Sequence, residues 1–107
     1  MLGVQGWRDY HLPARVNGLV VQSAGSSDGF YTIDLRIEQL TVKSQTVALV
    51  DVSFIRVEVL PWVREGAPLP VKKGDEVCVS GNLMWDGDGF LEIHPKRALE
   101  ISKNKCP

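Results

Sequence analysis

The side chains best equipped for chemistry gather near the C-terminal end, where Asp86, Asp88, Glu92 and His94 form the densest set of carboxylate and imidazole groups. Metal ligation or acid–base work needs such groups to converge on one point. Alternation along an extended segment puts Glu92 and His94 on one face, with the two aspartates at the adjoining turn. The same pattern describes a hairpin turn followed by an outward polar strand face, the more ordinary use of these residues, so neither a metal site nor a catalytic set is expected. Cys78 alternates with Val77 and Val79 and has no histidine beside it in sequence, which reads as a buried structural thiol and not a nucleophile. No Gly-rich phosphate loop, zinc-ligand spacing or nucleophile elbow is present. The residues point away from an enzyme and toward a binding protein without a cofactor.

Whatever binds must be positioned by a small scaffold. A chain of 107 residues is the length of one domain, read here as 1–107 with an N-terminal extension over 1–11 and a C-terminal strand or tail over 96–107. Hydrophobic residues at 44% and charged ones at 23% fit a folded, soluble protein and neither a disordered chain nor a membrane span. The first ten residues lack the continuous apolar core of a secretory signal. Cys78 and Cys106, one inside a predicted strand and one beside the C-terminus, make a poor disulfide framework, which points to a reduced, cytoplasmic setting. Lys and Arg number 12 against 13 Asp and Glu, for a formal net charge of −1, so any polyanion must be met by a local patch.

The period of two dominates the chain. Leu12 to Val21 is the first apolar segment, with Gly18 where a bent barrel strand needs a residue without a side chain. Gly25-Ser26-Ser27-Asp28-Gly29 is a turn cluster. Phe30 to Val42 then places Tyr31, Ile33, Leu35 and Ile37 on one face and Thr32, Asp34, Arg36 and Glu38 on the other. After the polar turn at Lys43 to Gln45, the β-branched density of Thr46 to Val59 predicts a long third strand. A bulge near Phe54-Ile55 would turn Ala48, Val50, Val52 and Phe54 inward, then Val57 and Val59, with Arg56 and Glu58 outward. Pro61, Pro68, Pro70 and Gly66 leave Leu60 to Lys73 as a connector with one helical turn at most. Glu76 to Trp85 and Phe90 to His94 flank Asp86-Gly87-Asp88-Gly89, a hairpin signal, with Trp85 on the inward parity.

The segment Lys72 to Pro95, KKGDEVCVSGNLMWDGDGFLEIHP, resembles the fourth and fifth strands of OB-fold proteins, most closely the single-stranded DNA-binding protein superfamily. Lys73-Gly74-Asp75 opens the strand, Val77 and Val79 alternate inward, and Gly81 relieves crowding at a bend. Phe54 to Trp62, FIRVEVLPW, is similar to the preceding third strand. The resemblance implies an all-β, five-stranded, mainly antiparallel OB-like Greek-key barrel. This chain departs from the family in having the proline-rich connector where a helix is usual.

An OB groove uses the exposed residues of its second and third strands and the loops beside them. In this chain those are Phe30 and Trp62 for base stacking, and Arg36, Arg56, Arg64, Lys72 and Lys73 for phosphate contact. Each has a plainer use: aromatics plug barrel ends, Arg36 and Arg56 alternate with Asp34, Glu38 and Glu58 for cross-strand ion pairing, and paired lysines solubilise loops. The resemblance implies single-stranded DNA or RNA as partner and no membrane. The alternative is a protein-interaction or assembly module, a homo-oligomer or a complex with a protein partner, built on the same barrel.

Overall fold

The structure is a computed structural model that describes residues 12–46, 53–85 and 91–106. Its strands are β1 (Leu12–Gly25), β2 (Tyr31–Val42), β3 (Gln45–Thr46), β4 (Phe54–Val59), β5 (Glu76–Trp85), β6 (Leu91–His94) and β7 (Ile101–Lys103), with one α-helical turn, α1 (Pro61–Arg64), and a 3-10 turn over Ala98–Glu100. The sheet runs β1-β2-β4-β6-β5 and closes by pairing β5 back onto β1. Only β4–β6 is parallel among these pairs; the others are antiparallel. Strand β5 thus returns by a long connection to lie beside β1, the Greek-key order, and the result is a closed, five-stranded OB-like barrel.

Closure follows from where the chain can bend. The long β1 pairs with β2 along one edge and, over Leu12 to Leu19, with β5 along the other. Its register against β2 shifts between Asn17 and Gly18, and a Cβ at Gly18 would lie 2.7 Å from the Arg36 carbonyl oxygen. The absent side chain lets two backbones approach where the strand coils. A Cβ at Gly81 would lie 2.5 Å from the His94 carbonyl oxygen, the same device on β5. At the β2–β3 turn Lys43 and Ser44 both take positive φ, 52° and 67°, the twist that a two-residue hairpin demands.

Inward alternation supplies the core: Val16, Ile33, Leu35, Ile55, Val57, Val79, Leu83 and Ile93 all lie buried in one cluster. The connector closes the barrel end. Pro61 opens α1, where its missing N–H costs nothing, and Val63 and Val71 are buried there with Leu60, Ala67 and Leu69 packed beside them. The Tyr31 hydroxyl accepts a 3.3 Å hydrogen bond from the Val71 amide, tying the connector to β2.

Three expectations are corrected. The third strand is not continuous over Thr46 to Val59: Gln45–Thr46 pairs with β2, Ser53 lies outside any strand, and β4 starts at Phe54. Within β4 the parity does not change, so Ile55, Val57 and Val59 point inward and Phe54 stands 57% exposed. The third concerns sulfur. Strand β7 pairs with β5, placing Ser102 opposite Cys78, and the Asn104 amide donates to the Glu76 carbonyl, which brings the tail back alongside β5. Cys78 and Cys106 meet there as a disulfide, with Cα atoms 5.0 Å apart. Distance in sequence hid the pairing, and the thiol argument for a reduced compartment falls with it. No helix among the described residues is long and apolar enough to cross a membrane.

Candidate nucleic-acid interface

The outward residues of β2, β4 and β6 form a continuous face. Pairing of β2 with β4 sets Arg36 opposite Phe54, Asp34 opposite Arg56 and Thr32 opposite Glu58. The parallel pairing of β4 with β6 then sets Glu92 beside Arg56. Beyond the end of β4, α1 presents Trp62, which is 67% exposed. Along β4 the exposed aromatic Phe54 stands about 17 Å from the strand's far end, at ~3.3 Å per residue.

The polar groups along this face are engaged with one another. Arg56 donates to both oxygens of Asp34, at 2.8 and 3.2 Å, the bidentate geometry that fixes a guanidinium. That hydrogen bond, followed by the fields of Asp34, Glu92 and Glu58, outweighs its partial burial and raises its pKa further, so Arg56 is a permanent cation held by carboxylates. His94 Nε2 lies 2.8 Å from Glu92 Oε1 and 3.5 Å from Glu58 Oε2. Burial first, and then the neighbouring Glu58, push the Glu92 carboxyl above its ordinary pKa, against the opposing pull of His94.

The residues predicted for binding divide into two groups. Arg36 is exposed and makes no hydrogen bond or ion pair among the described residues. Trp62 is open to solvent on α1. Lys72 and Lys73 are exposed in a turn closed by Asp75, whose Oδ2 accepts from the Lys72 amide at 2.8 Å. Gly74, at φ +94°, completes the turn and donates its amide to the Val20 carbonyl. The others hold structure together. Arg56 belongs to Asp34. Arg64 donates to the Phe30 carbonyl at 3.2 Å and lies 5.2 Å from the centre of the Tyr31 ring, so it clamps α1 to the β1–β2 turn. Phe30 is half-buried at that turn.

The sequence reading missed Phe54, whose outward parity is set by strand pairing. It also missed a basic cleft on the opposite side of the barrel, lined by Arg15, Thr41, Lys43, Ser44 and Ser80 and enclosing about 380 Å³. The hairpin with Asp86 and Asp88, the side chain of Trp85, the segment with Ala48, Val50 and Val52, and the N-terminal extension lie outside the described residues.

No protein-family model matches this sequence, and no curated protein matches it. Among solved structures the chain is similar to a deletion variant of the single-stranded DNA binding protein from Thermus aquaticus, at a TM-score of 0.48 and 18% identity. The match covers 88% of this chain and 50% of that one, so this chain spans half the length of that protein. The strand order and closure described above are what make this chain an OB-like barrel.

Proposed function

We propose that the barrel binds single-stranded nucleic acid across the outer face of β2 and β4, without chemistry. The observation that carries this reading is the pair of solvent-open rings, Phe54 on β4 with Arg36 directly opposite it, and Trp62 on α1, the turn that follows β4. Exposed aromatics on a rigid scaffold are costly to leave in water and suit base stacking, at ~1–3 kcal/mol per base. Phosphate contacts fall to Arg36 at one end and to Lys72 and Lys73 in the connector. The row between them, with Asp34, Glu58 and Glu92, repels phosphate, so bound backbone must skirt it.

The test is titration of tryptophan fluorescence with oligo-dT and oligo-U at low and physiological salt. The reading requires binding that weakens with salt, and that weakens at least fivefold in both Trp62→Ala and Phe54→Ala. The acidic row and the near-neutral net charge favour a second reading, a protein-assembly module using the same exposed rings. Absence of binding at low salt, together with a concentration-dependent oligomer in light scattering, would establish it.

A further inference from the structure

We propose that Glu58, Glu92 and His94 form a site for one divalent transition-metal cation of the zinc class on the outer face of the barrel. This proposal does not depend on the nucleic-acid reading. The three residues each offer one ligand atom, and these atoms all lie within 4.8 Å of one another. Their convergence is a product of the fold. The parallel register pairs Arg56 with Glu92 and Val57 with Ile93, so continuing it one residue brings His94 beside Glu58, and alternation keeps Glu92 and His94 on the same outward side.

One imidazole with two carboxylates is a nitrogen and oxygen ligand set that suits Zn²⁺. Bonds of ~2.0–2.1 Å in a tetrahedron put ligand atoms roughly 3.4 Å apart. The separations of 2.8 and 3.5 Å from His94 Nε2 bracket that value. Three ligands from the described residues leave one position of a tetrahedron for water or a further group.

The charge of the surroundings points the same way. Among the described residues three carboxylates, Asp34, Glu58 and Glu92, face one guanidinium, Arg56, which leaves a formal charge of −2 when His94 is neutral. Arg56 is drawn toward Asp34 at 2.8 Å, so its repulsion on a metal is offset locally. From β5, the residues paired with Glu92 and His94 are Met84 and Asn82, which add no charge. Like charges on neighbouring strands are unfavourable, and a divalent ion compensates these two carboxylates more fully than a shared imidazole does.

The experiment is isothermal titration of the oxidised full chain with ZnCl₂, with the ring signals of His94 followed by NMR. Oxidised protein keeps Cys78 and Cys106 out of the ligand pool. The expected result is one equivalent of zinc, a shift of the His94 ring signals, and affinity lowered at least tenfold in His94→Ala and in Glu92→Gln. His11→Ala, at the chain's other histidine, should bind zinc as the wild type does. An absence of zinc binding, or saturation that leaves the His94 ring signals unmoved, overturns the proposal even if the variants fail to fold. Wild-type affinity in folded His94→Ala also overturns it.

Discussion

Phe54 and Arg36 sit opposite each other, both exposed and with no hydrogen bond or ion pair from Arg36 among the described residues, whereas one step along the same strands Arg56 is locked to Asp34. Neutralising Arg36 and neutralising Arg56 should therefore differ in kind. Arg36→Ala is expected to weaken oligo-dT binding severalfold with thermal stability within ~0.5 kcal/mol of wild type. Arg56→Ala should lower the melting temperature, because it strands Asp34 half-buried among Glu58 and Glu92. Calorimetry paired with the fluorescence titration separates the two. At Glu92, burial and Glu58 make the folded protein hold its proton more tightly than the unfolded chain does. The folded state is thus relatively favoured below the ordinary glutamate pKa, and that advantage is lost as pH rises through the raised value. Urea unfolding from pH 7 down to 4.5 should show wild type gaining stability relative to Glu92→Gln. The outward parity of Arg36 was legible in the alternation of its strand, whereas the exposure of Trp62 on a turn and the choice of Asp34 as the partner of Arg56 need the fold and the strand register, which parity alone does not supply.

Among the elements, the C-terminal strand is the one whose importance local sequence least reveals. The Cys78–Cys106 bond closes a separation of 28 residues, for which loop-closure entropy gives about 3–4 kcal/mol. Reduction, or the Cys78→Ser/Cys106→Ser pair, should lower the urea midpoint by more than ~1 M at the usual sensitivity of small domains. An unchanged midpoint would mean that β7 is held by its ladder alone. Gly81→Ala forces a Cβ to 2.5 Å from backbone and is expected to cost ~1–3 kcal/mol or more, read as a lower melting temperature. The strands themselves were largely readable, because alternation in Tyr31 to Leu35 and Glu76 to Leu83 matches a barrel wall buried on one side. The interruption at Ser53 and the parity of Phe54 were not, since a run of β-branched residues looks apolar on both faces until a partner strand fixes the register. The prolines of the connector limited its helix to one turn, and burial of Val63 in that turn and of Val71 beyond it shows how the connector still seals the barrel end.

For the whole molecule, a net charge of −1 sets the scale of any encounter with a polyanion. With Arg36, Lys72 and Lys73 as the cations free to release counterions, the salt slope of single-strand binding should be about −2. Affinity should then fall roughly tenfold to twentyfold between 50 and 200 mM salt; a much steeper slope would implicate further cations, such as Arg15 and Lys43. The most direct test is a ¹⁵N-resolved NMR titration of the oxidised protein with oligo-dT at low salt. Shifts concentrated at Arg36, Phe54, Trp62, Lys72 and Lys73 are the predicted result. Spectra that do not change, or shifts confined to the cleft around Arg15, Lys43 and Ser80, would contradict it.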